Sequence, residues 1–296
     1  MVLVIANIII VFNFPQNTYL WENYGNRMET ANGIIWDVNP VLFEIGNWSV
    51  RWYGLLFALG FVFGIIIITR MFKSEGVKKE WVDSLFLYVV VGTVIGARLG
   101  HVFFYDWGYY KENLGEILKI WHGGLASHGG VIGIAIALWL WSRKYSKRPM
   151  LWILDRVVVP TALASAFIRL GNLVNSEIIG KPTDLPWAFT FVTTDNLPRH
   201  PSQLYEALAY LTIFGLLFYL YWKTDIKDKP GRLFGILMTA VFAFRFFVEF
   251  TKENQVAFEA DIPLNMGQWL SIPMVLIGLF FLLRPLKKLE KQGDSG

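Results

Sequence analysis

The 296-residue chain contains no cysteine. That absence excludes disulfides, thiolate–metal centres and a cysteine nucleophile carried by the protein itself. Charge is also scarce: Asp, Glu, Lys and Arg make up 17% of the residues, where a soluble domain carries roughly 25%. There are four histidines, His101, His122, His128 and His200, with no HExxH sequence and no pair at i, i+4. This spacing argues against a metal site. The first fourteen residues, MVLVIANIIIVFNF, are apolar but lack the basic flank of a signal peptide, and Asn7 and Asn13 interrupt them. They read as an interfacial or extra hydrophobic segment within an N-terminal extension, residues 1–50. No internal repeat or low-complexity tract is evident.

What the chain has in abundance is apolar length. Hydrophobic residues make up 54% and aromatics 17%, and mean hydropathy is +0.43. The apolar residues gather into seven runs, 53–72, 82–107, 125–141, 151–170, 204–222, 233–250 and 266–283. Most of these are near the roughly 20 residues that a helix needs to cross a bilayer. The expectation is an all-α integral membrane protein with seven transmembrane helices, its spanning domain covering 51–286.

The loops set the orientation. Lys and Arg number four after the first run (Arg70, Lys73, Lys78, Lys79) and two after the second (Lys111, Lys119). Four follow the third (Arg143, Lys144, Lys147, Arg148), and two lie in the long loop 172–202 (Lys181, Arg199). Four come after the fifth (Lys223, Lys227, Lys229, Arg232), one after the sixth (Lys252), and four in the tail (Arg284, Lys287, Lys288, Lys291). This alternation is the positive-inside pattern. It predicts a cytoplasmic C-terminal tail, 287–296, and it accounts for the net charge of +4 without a nucleic-acid partner.

With direction assigned, polar residues can be placed by depth. Tyr53 opens the first span, and Arg98, His101 and Tyr105 lie late in the second on one helical face. His128 opens the third, and Arg169 closes the fourth, followed by Asn172, Asn175 and Glu177. His200, Gln203, Tyr205 and Glu206 sit at the mouth of the fifth, Arg245 and Glu249 late in the sixth, and Gln268 at the start of the seventh. All of them fall toward the outer side. The inner ends carry loop cations and one intramembrane acid, Asp155, with no comparable cluster expected there.

Arg245 lies about five residues inside its span, roughly 8 Å at 1.5 Å per residue. A charge at such depth ordinarily faces a partner or a cavity. Glu249, one turn away, offers an ion pair; Arg98 and Arg169 have no acid so close in sequence. Three arginines with too few local acids suggest an anionic guest. Guanidinium forks suit phosphate, and a phosphate at this depth among apolar helices is most simply a phospholipid headgroup. His128, a titratable group in the same outer layer, is the candidate general base, whereas His122 reads as a packing residue.

Several runs now carry a resemblance. They are Trp52-Tyr53-Gly54, Gly96-Ala97-Arg98, His128-Gly129-Gly130, and Arg169-Leu170-Gly171-Asn172-Leu173-Val174-Asn175-Ser176-Glu177 with Gly180. Further along come Arg199-His200-Pro201-Ser202-Gln203-Leu204-Tyr205-Glu206, Arg245-Phe246-Phe247-Val248-Glu249-Phe250 and Met266-Gly267-Gln268-Trp269-Leu270-Ser271. In this order they resemble the phosphatidylglycerol–prolipoprotein diacylglyceryl transferase family over about residues 48 to 285. The R-x-G-N-x-x-N-x-E-x-x-G and H-P-S-Q-L-Y-E blocks together are the specific part. Two departures stand out: Ile168 where a glycine commonly precedes the arginine, and His101 where an aromatic is common.

The resemblance implies a multi-pass enzyme of the bacterial cytoplasmic (inner) membrane with a small periplasmic head and interfacial helices. Its site would face the periplasm, with no cofactor. The implied reaction moves the diacylglyceryl group of phosphatidylglycerol to the lipobox cysteine thiol of a prolipoprotein signal peptide and releases glycerol phosphate. It further implies that Tyr53, His128, Arg169, Asn172, Gly180 and Arg245 match positions needed for activity, with Glu177, Glu206 and Glu249 as supporting acids. Arg98, His200, Gln203 and Tyr205 complete the expected substrate-binding set. In this reading Arg169 and Arg245 bind the phosphate and His128 takes the thiol proton; alternatively, the arginines alone lower the thiol pKa. Loop 172–202 would form the head, and the mixed apolar and basic stretch 106–124 an interfacial helix. Substrates would enter by lateral openings between spans. The rival readings are an outward-facing lipid or anion transporter and an intramembrane hydrolase.

Overall fold

The computed structural model describes residues 33–46, 48–253 and 263–285. The apolar N-terminal stretch and the tail 287–296 lie outside the described residues, as does most of the extension 1–50.

Among the described residues, eight α-helices follow in chain order. They are α1 (Trp52–Ser74), α2 (Glu80–Phe104), the four-residue α3 (Trp107–Tyr110), α4 (Ser127–Trp141), α5 (Met150–Val174), α6 (Ser202–Lys223), α7 (Arg232–Val248) and α8 (Met266–Leu283). Among the described residues, six are long and apolar enough to cross a membrane: α1, α2, α5, α6, α7, continued to Thr251, and α8. They coincide with six of the seven expected runs. The remaining run begins at α4, which has 15 residues and continues into one π-helical turn at Ser142–Ser146. Two glycines at positive φ, Gly123 and Gly124, break the chain before it.

The bundle is built around α5, the most enclosed of the spanning helices, with 61% of its central window buried. It packs on α1 and α6. Apolar side chains on these helices, among them Met71, Phe72, Ile153, Val159, Tyr210 and Leu217, form the main core with Leu138 and Trp141 of α4. Two further helix pairs close on glycine. Gly92, Gly96 and Gly100 of α2 face Gly129, Gly133 and Ala137 of α4 so closely that a Cβ on Gly133 would overlap the Gly92 carbonyl oxygen. Small residues at four-residue spacing let membrane helices approach to backbone contact. On the other side of the bundle, Gly235 of α7 and Gly278 of α8 do the same.

The helical expectation holds for the bundle, but five short strands accompany it. Strands β2 (Val41–Ile45) and β3 (Trp48–Arg51) form an antiparallel hairpin leading directly into α1. Its turn uses Gly46 at φ +59°. Strand β1 (Ile34–Trp36) runs parallel to β4 (Phe189–Phe191), which pairs antiparallel with β5 (Pro198–Arg199). Phe189, Phe191 and Leu173 make a small separate core under this sheet, and the Trp36 indole donates to the Leu173 carbonyl at 2.9 Å. These strands hold residues 34–51 and the loop after α5 over one end of the bundle. The β1–β4 pairing sets Ile34 opposite Phe189, a long-range contact that local pattern does not reveal.

The opposite end corrects one expectation. It was read as lacking a buried charge cluster, yet Arg156 of α5 is buried there against Glu75, at the end of α1. Its Nε and Nη2 donate to the carboxylate at 2.9 and 2.8 Å, the Tyr221 hydroxyl donates to the same group, and the guanidinium lies 4.3 Å from the Trp152 ring centre. Beside it, Asp155 accepts from the amides of Gly231 and Phe234 at 2.6 and 2.9 Å, capping α7. Glu75 and Arg156 lie 81 residues apart, so no local spacing joins them.

Candidate active site

At the end covered by the strands, two polar groups form on different helices. The first is a chain of buried charges. Arg169 of α5 places its Nε 3.0 Å from Glu206 of α6, and its Nη1 donates to Asn172 at 3.2 Å. Glu206 accepts from Lys252 at 3.1 Å and from the Tyr210 hydroxyl at 3.2 Å. Lys252 also donates to Glu249 at 2.9 Å, and Glu249 lies 3.3 Å from Nε of Arg245 on α7. Asn265, which caps α8 in a reciprocal pair with Gln268, donates to the second Glu249 oxygen at 3.2 Å. Helices α5, α6, α7 and α8 thus meet at one run of alternating charge. Burying so many ionised groups is tolerable only when each has an opposite neighbour.

The loop after α5 joins this chain through Asn172, whose amide donates to Glu177 at 2.8 Å, with Asn175 donating to the other oxygen at 3.0 Å. Burial raises the Glu177 carboxyl above its ordinary pKa, and the two amides oppose that shift. Gln203 donates to the Glu177 backbone carbonyl. Tyr53 is buried at the start of α1, with its ring against Gly171, where a Cβ would fall 2.8 Å from the ring.

Gly180 is required by close approach, since a Cβ there would lie 2.5 Å from the His200 Cβ and 2.8 Å from the Ser202 hydroxyl. Its amide donates to the His200 carbonyl, and its carbonyl accepts from Arg199 at 2.9 Å. Arg199 is gripped by Asp195 and Glu253, at 2.6 and 2.7 Å, and these carboxylates raise its pKa. His200 Nδ1 is 3.3 Å from the Tyr205 hydroxyl, which accepts from Trp187 at 2.8 Å, and burial lowers the His200 pKa.

The second group sits on α2 and α4. The His128 Nε2 is hydrogen-bonded to the Tyr105 hydroxyl; the rings stack at 5.7 Å, and His101 stacks on the far face of Tyr105 at 5.8 Å. His128 is exposed. Arg98 is buried and turned into the segment between α3 and α4. Its Nε donates to Ile117 O at 2.9 Å, Nη1 to Gly123 O and to Gly124 O at 3.1 Å, and Nη2 to Glu116 O at 2.6 Å and Lys119 O at 3.3 Å. All three nitrogens of its guanidinium therefore bond the protein's own backbone. In that segment Glu116 accepts from Lys119, which depresses the Glu116 pKa, and His122 lies 3.1 Å from the same carboxylate.

The sequence-predicted residues are thus divided. Tyr53, Arg169, Asn172, Glu177, Gln203, Glu206, Arg245 and Glu249 belong to the buried charge chain and its Asn172–Glu177 extension. Gly180 and His200 lie in the loop packed against it, with Tyr205 in the first turn of α6. His128 and Arg98 make their contacts in the other group. Sequence reasoning missed Lys252, counted as a loop charge, along with Tyr210 and Asn265. Lys252 lies three residues from Glu249 and Tyr210 four from Glu206, so helical spacing was an available signal for both. An apolar cleft of about 150 Å³ lies between α1, α2, α4 and α5, lined by Phe57, Phe61, Thr93, Ile134, Ala164 and Ile168 among others. Phe57 is one turn from Tyr53, and Ile168 adjoins Arg169.

Comparison with known proteins bears on what this arrangement serves. The family model described as prolipoprotein diacylglyceryl transferase matches residues 40–284. The chain belongs to the prolipoprotein diacylglyceryl transferase family. It is 48% identical over 268 residues to a phosphatidylglycerol–prolipoprotein diacylglyceryl transferase of Chloroherpeton thalassium, covering 90% of this chain and 100% of that one. A protein of the same name from Tolumonas auensis is 48% identical over 255 residues, 86% of this chain and 98% of its own. One from Porphyromonas gingivalis is 47% identical over 269 residues, 86% and 95%. The family's matched span contains both polar groups in full, as well as the hairpin from residue 41 onward.

Proposed function

We propose that the chain transfers the diacylglyceryl group of phosphatidylglycerol to the lipobox cysteine thiol of a prolipoprotein, forming a thioether and releasing glycerol phosphate. The observation that supports this most directly is the meeting of Arg169 and Arg245 across the Glu206–Lys252–Glu249 chain, in a member of a transferase family. The two guanidinium groups bind the phosphate diester and stabilise the charge that develops on it as the ester bond breaks. The sulfur attacks the glyceryl carbon that bears the phosphate; the C–O electron pair leaves with the phosphate oxygen. The thiol proton passes to His128, whose Nε2 otherwise holds the Tyr105 hydroxyl. Glu177 and Asn172 orient Arg169, while Tyr53, Gly180, His200, Gln203 and Tyr205 shape the substrate-binding wall. Arg98 acts indirectly by clamping the segment before α4. The glyceryl end of the diacyl tail sits by the apolar cleft beside Ile168, and the acyl chains extend laterally into the bilayer.

In the same reading α4 and its π-helical turn, 20 residues in all, form a seventh span. The transferase domain covers 51–286, with loop 172–202 and the strands as a periplasmic head and the stretch 107–124 at the interface. The protein resides in the bacterial inner membrane with its C-terminus cytoplasmic. The chain's lack of cysteine makes the orientation easy to test. A cysteine introduced at exposed Asp184 should label from outside, and one at exposed Lys147 only from the cytoplasm.

The activity is tested with purified protein, phosphatidylglycerol vesicles and a lipobox peptide. The expected product is the peptide with one diacylglyceryl group on its cysteine, absent when that cysteine is serine. Release of free fatty acid with no peptide mass gain would refute the reading.

A further inference from the structure

We propose that Lys252 is a positioning residue that keeps the guanidinium of Arg245 free for an anionic substrate group, by holding the Glu249 carboxylate that would otherwise close on it. The inference rests on the phosphate-binding role of the two arginines given above.

An arginine beside a glutamate normally forms a fork-to-fork pair, with two parallel N–H bonds to the two carboxylate oxygens. Neither arginine here does so. Glu206 approaches Arg169 and Glu249 approaches Arg245 through Nε alone, at 3.0 and 3.3 Å, and neither contact is aligned as a hydrogen bond. Both Glu249 oxygens are engaged elsewhere, whereas Glu206 Oε2 has no aligned donor. Lys252 Nζ donates to Oε1 of both glutamates, Tyr210 adds a donor to Glu206 Oε1, and Asn265 holds Glu249 Oε2. Consequently the Nη1 and Nη2 groups of Arg245 have no partner among the described residues, and its side chain is 23% exposed. Unpartnered guanidinium donors suit the oxygens of a phosphate diester.

The residue type matters. A lysine ammonium is a compact charge with three donors, so it can hold two carboxylates at once without a planar match to either. Its backbone is also fixed. Lys252 pairs with Gly180 in an isolated bridge, its amide donates to Glu249 O, and the Lys181 amide donates to Thr251 O at 2.8 Å. The side chain is 2% exposed and has no route to solvent contact of its own, so its role is exerted through Glu249.

The test uses the full-length protein in lipid micelles, varying phosphatidylglycerol at fixed lipobox peptide. Lys252→Met releases Glu249 to close on Arg245. The expected result is a KM for phosphatidylglycerol raised about tenfold, with kcat changed by less than about threefold. Adding Glu249→Gln to Lys252→Met removes the competing carboxylate and should lower that KM at least about threefold relative to Lys252→Met, since a neutral amide makes no charged fork. A lysine with a merely structural role gives the reverse, because a second lost partner then worsens the first loss. An unchanged KM in Lys252→Met overturns the proposal, as does a double variant no better than the single one. Should Lys252→Met fail to fold, the double variant alone decides: a KM raised more than about tenfold refutes the assignment. Arg245→Gln separates the two levels of inference. If it keeps the original KM and kcat, the phosphate reading itself fails; if it is impaired while Lys252→Met is not, only the lysine assignment fails.

Discussion

Arg98 offers the sharpest separation between a ligand-binding arginine and one that organises the protein. Its guanidinium donates to five backbone carbonyls between Glu116 and Gly124. The perturbation is Arg98→Lys, which keeps the positive charge but has three donors on one nitrogen, so at least two of the five carbonyls lose their partner. At about 1–1.5 kcal/mol for each charge-assisted bond in a partly solvated segment, opening of 114–124 becomes easier by about 2–3 kcal/mol. That corresponds to amide exchange and tryptic cleavage after Lys119 about 30- to 150-fold faster under native conditions, because both follow the population of the opened segment. The main core, which Arg98 does not enter, should exchange at its original rate. If Arg98→Lys left exchange and cleavage across 114–124 unchanged while weakening phosphatidylglycerol binding, the clamp would be wrong and a direct contact with substrate right.

Other perturbations probe the rest of the fold. Gly133→Ala forces a Cβ to within 2.8 Å of Gly96 Cα and into the Gly92 carbonyl; α2 and α4 must separate, and thermal unfolding in detergent should show a loss of about 1–3 kcal/mol. Glu75→Gln leaves Arg156 buried without a carboxylate and should cost about 3–5 kcal/mol in the same assay, most of it recovered by Glu75→Met with Arg156→Leu, which removes both charges. His200 has its pKa lowered below 6.5 by burial, so the unfolded chain takes up its proton at higher pH than the folded one. Its contribution to the stability of the head is therefore full above about 6.5 and is lost as pH falls through the folded value. Fluorescence of Trp187, which is hydrogen-bonded to His200's partner Tyr205, should report a transition below that pH, absent in His200→Gln.

The membrane architecture was legible because its cause is local. A helix that must satisfy its own backbone in lipid needs an unbroken apolar run, and residues 53–72 or 266–283 carry that run whatever surrounds them. The alternation of Lys and Arg between loops is likewise a property of short segments. Two contacts of the buried charge chain were legible for the same reason: Arg245 with Glu249, and Arg169 with Asn172, lie about one helical turn apart in sequence.

What local pattern left undetermined is which charges meet. Glu75 and Arg156, Glu206 and Lys252, and Arg98 and Gly123 are separated by 81, 46 and 25 residues, and composition assigns a loop lysine and a buried bridging lysine the same symbol. Only the packing of α5 against α1 and α6, and of α7 against α8, converts Lys252 from a loop charge into the centre of the site. The same packing shows Arg98 bound to its own backbone and Arg245 partly exposed beside Glu249. In a low-dielectric interior the energy of a charge is set by its nearest opposite neighbour, and that neighbour is supplied by tertiary structure.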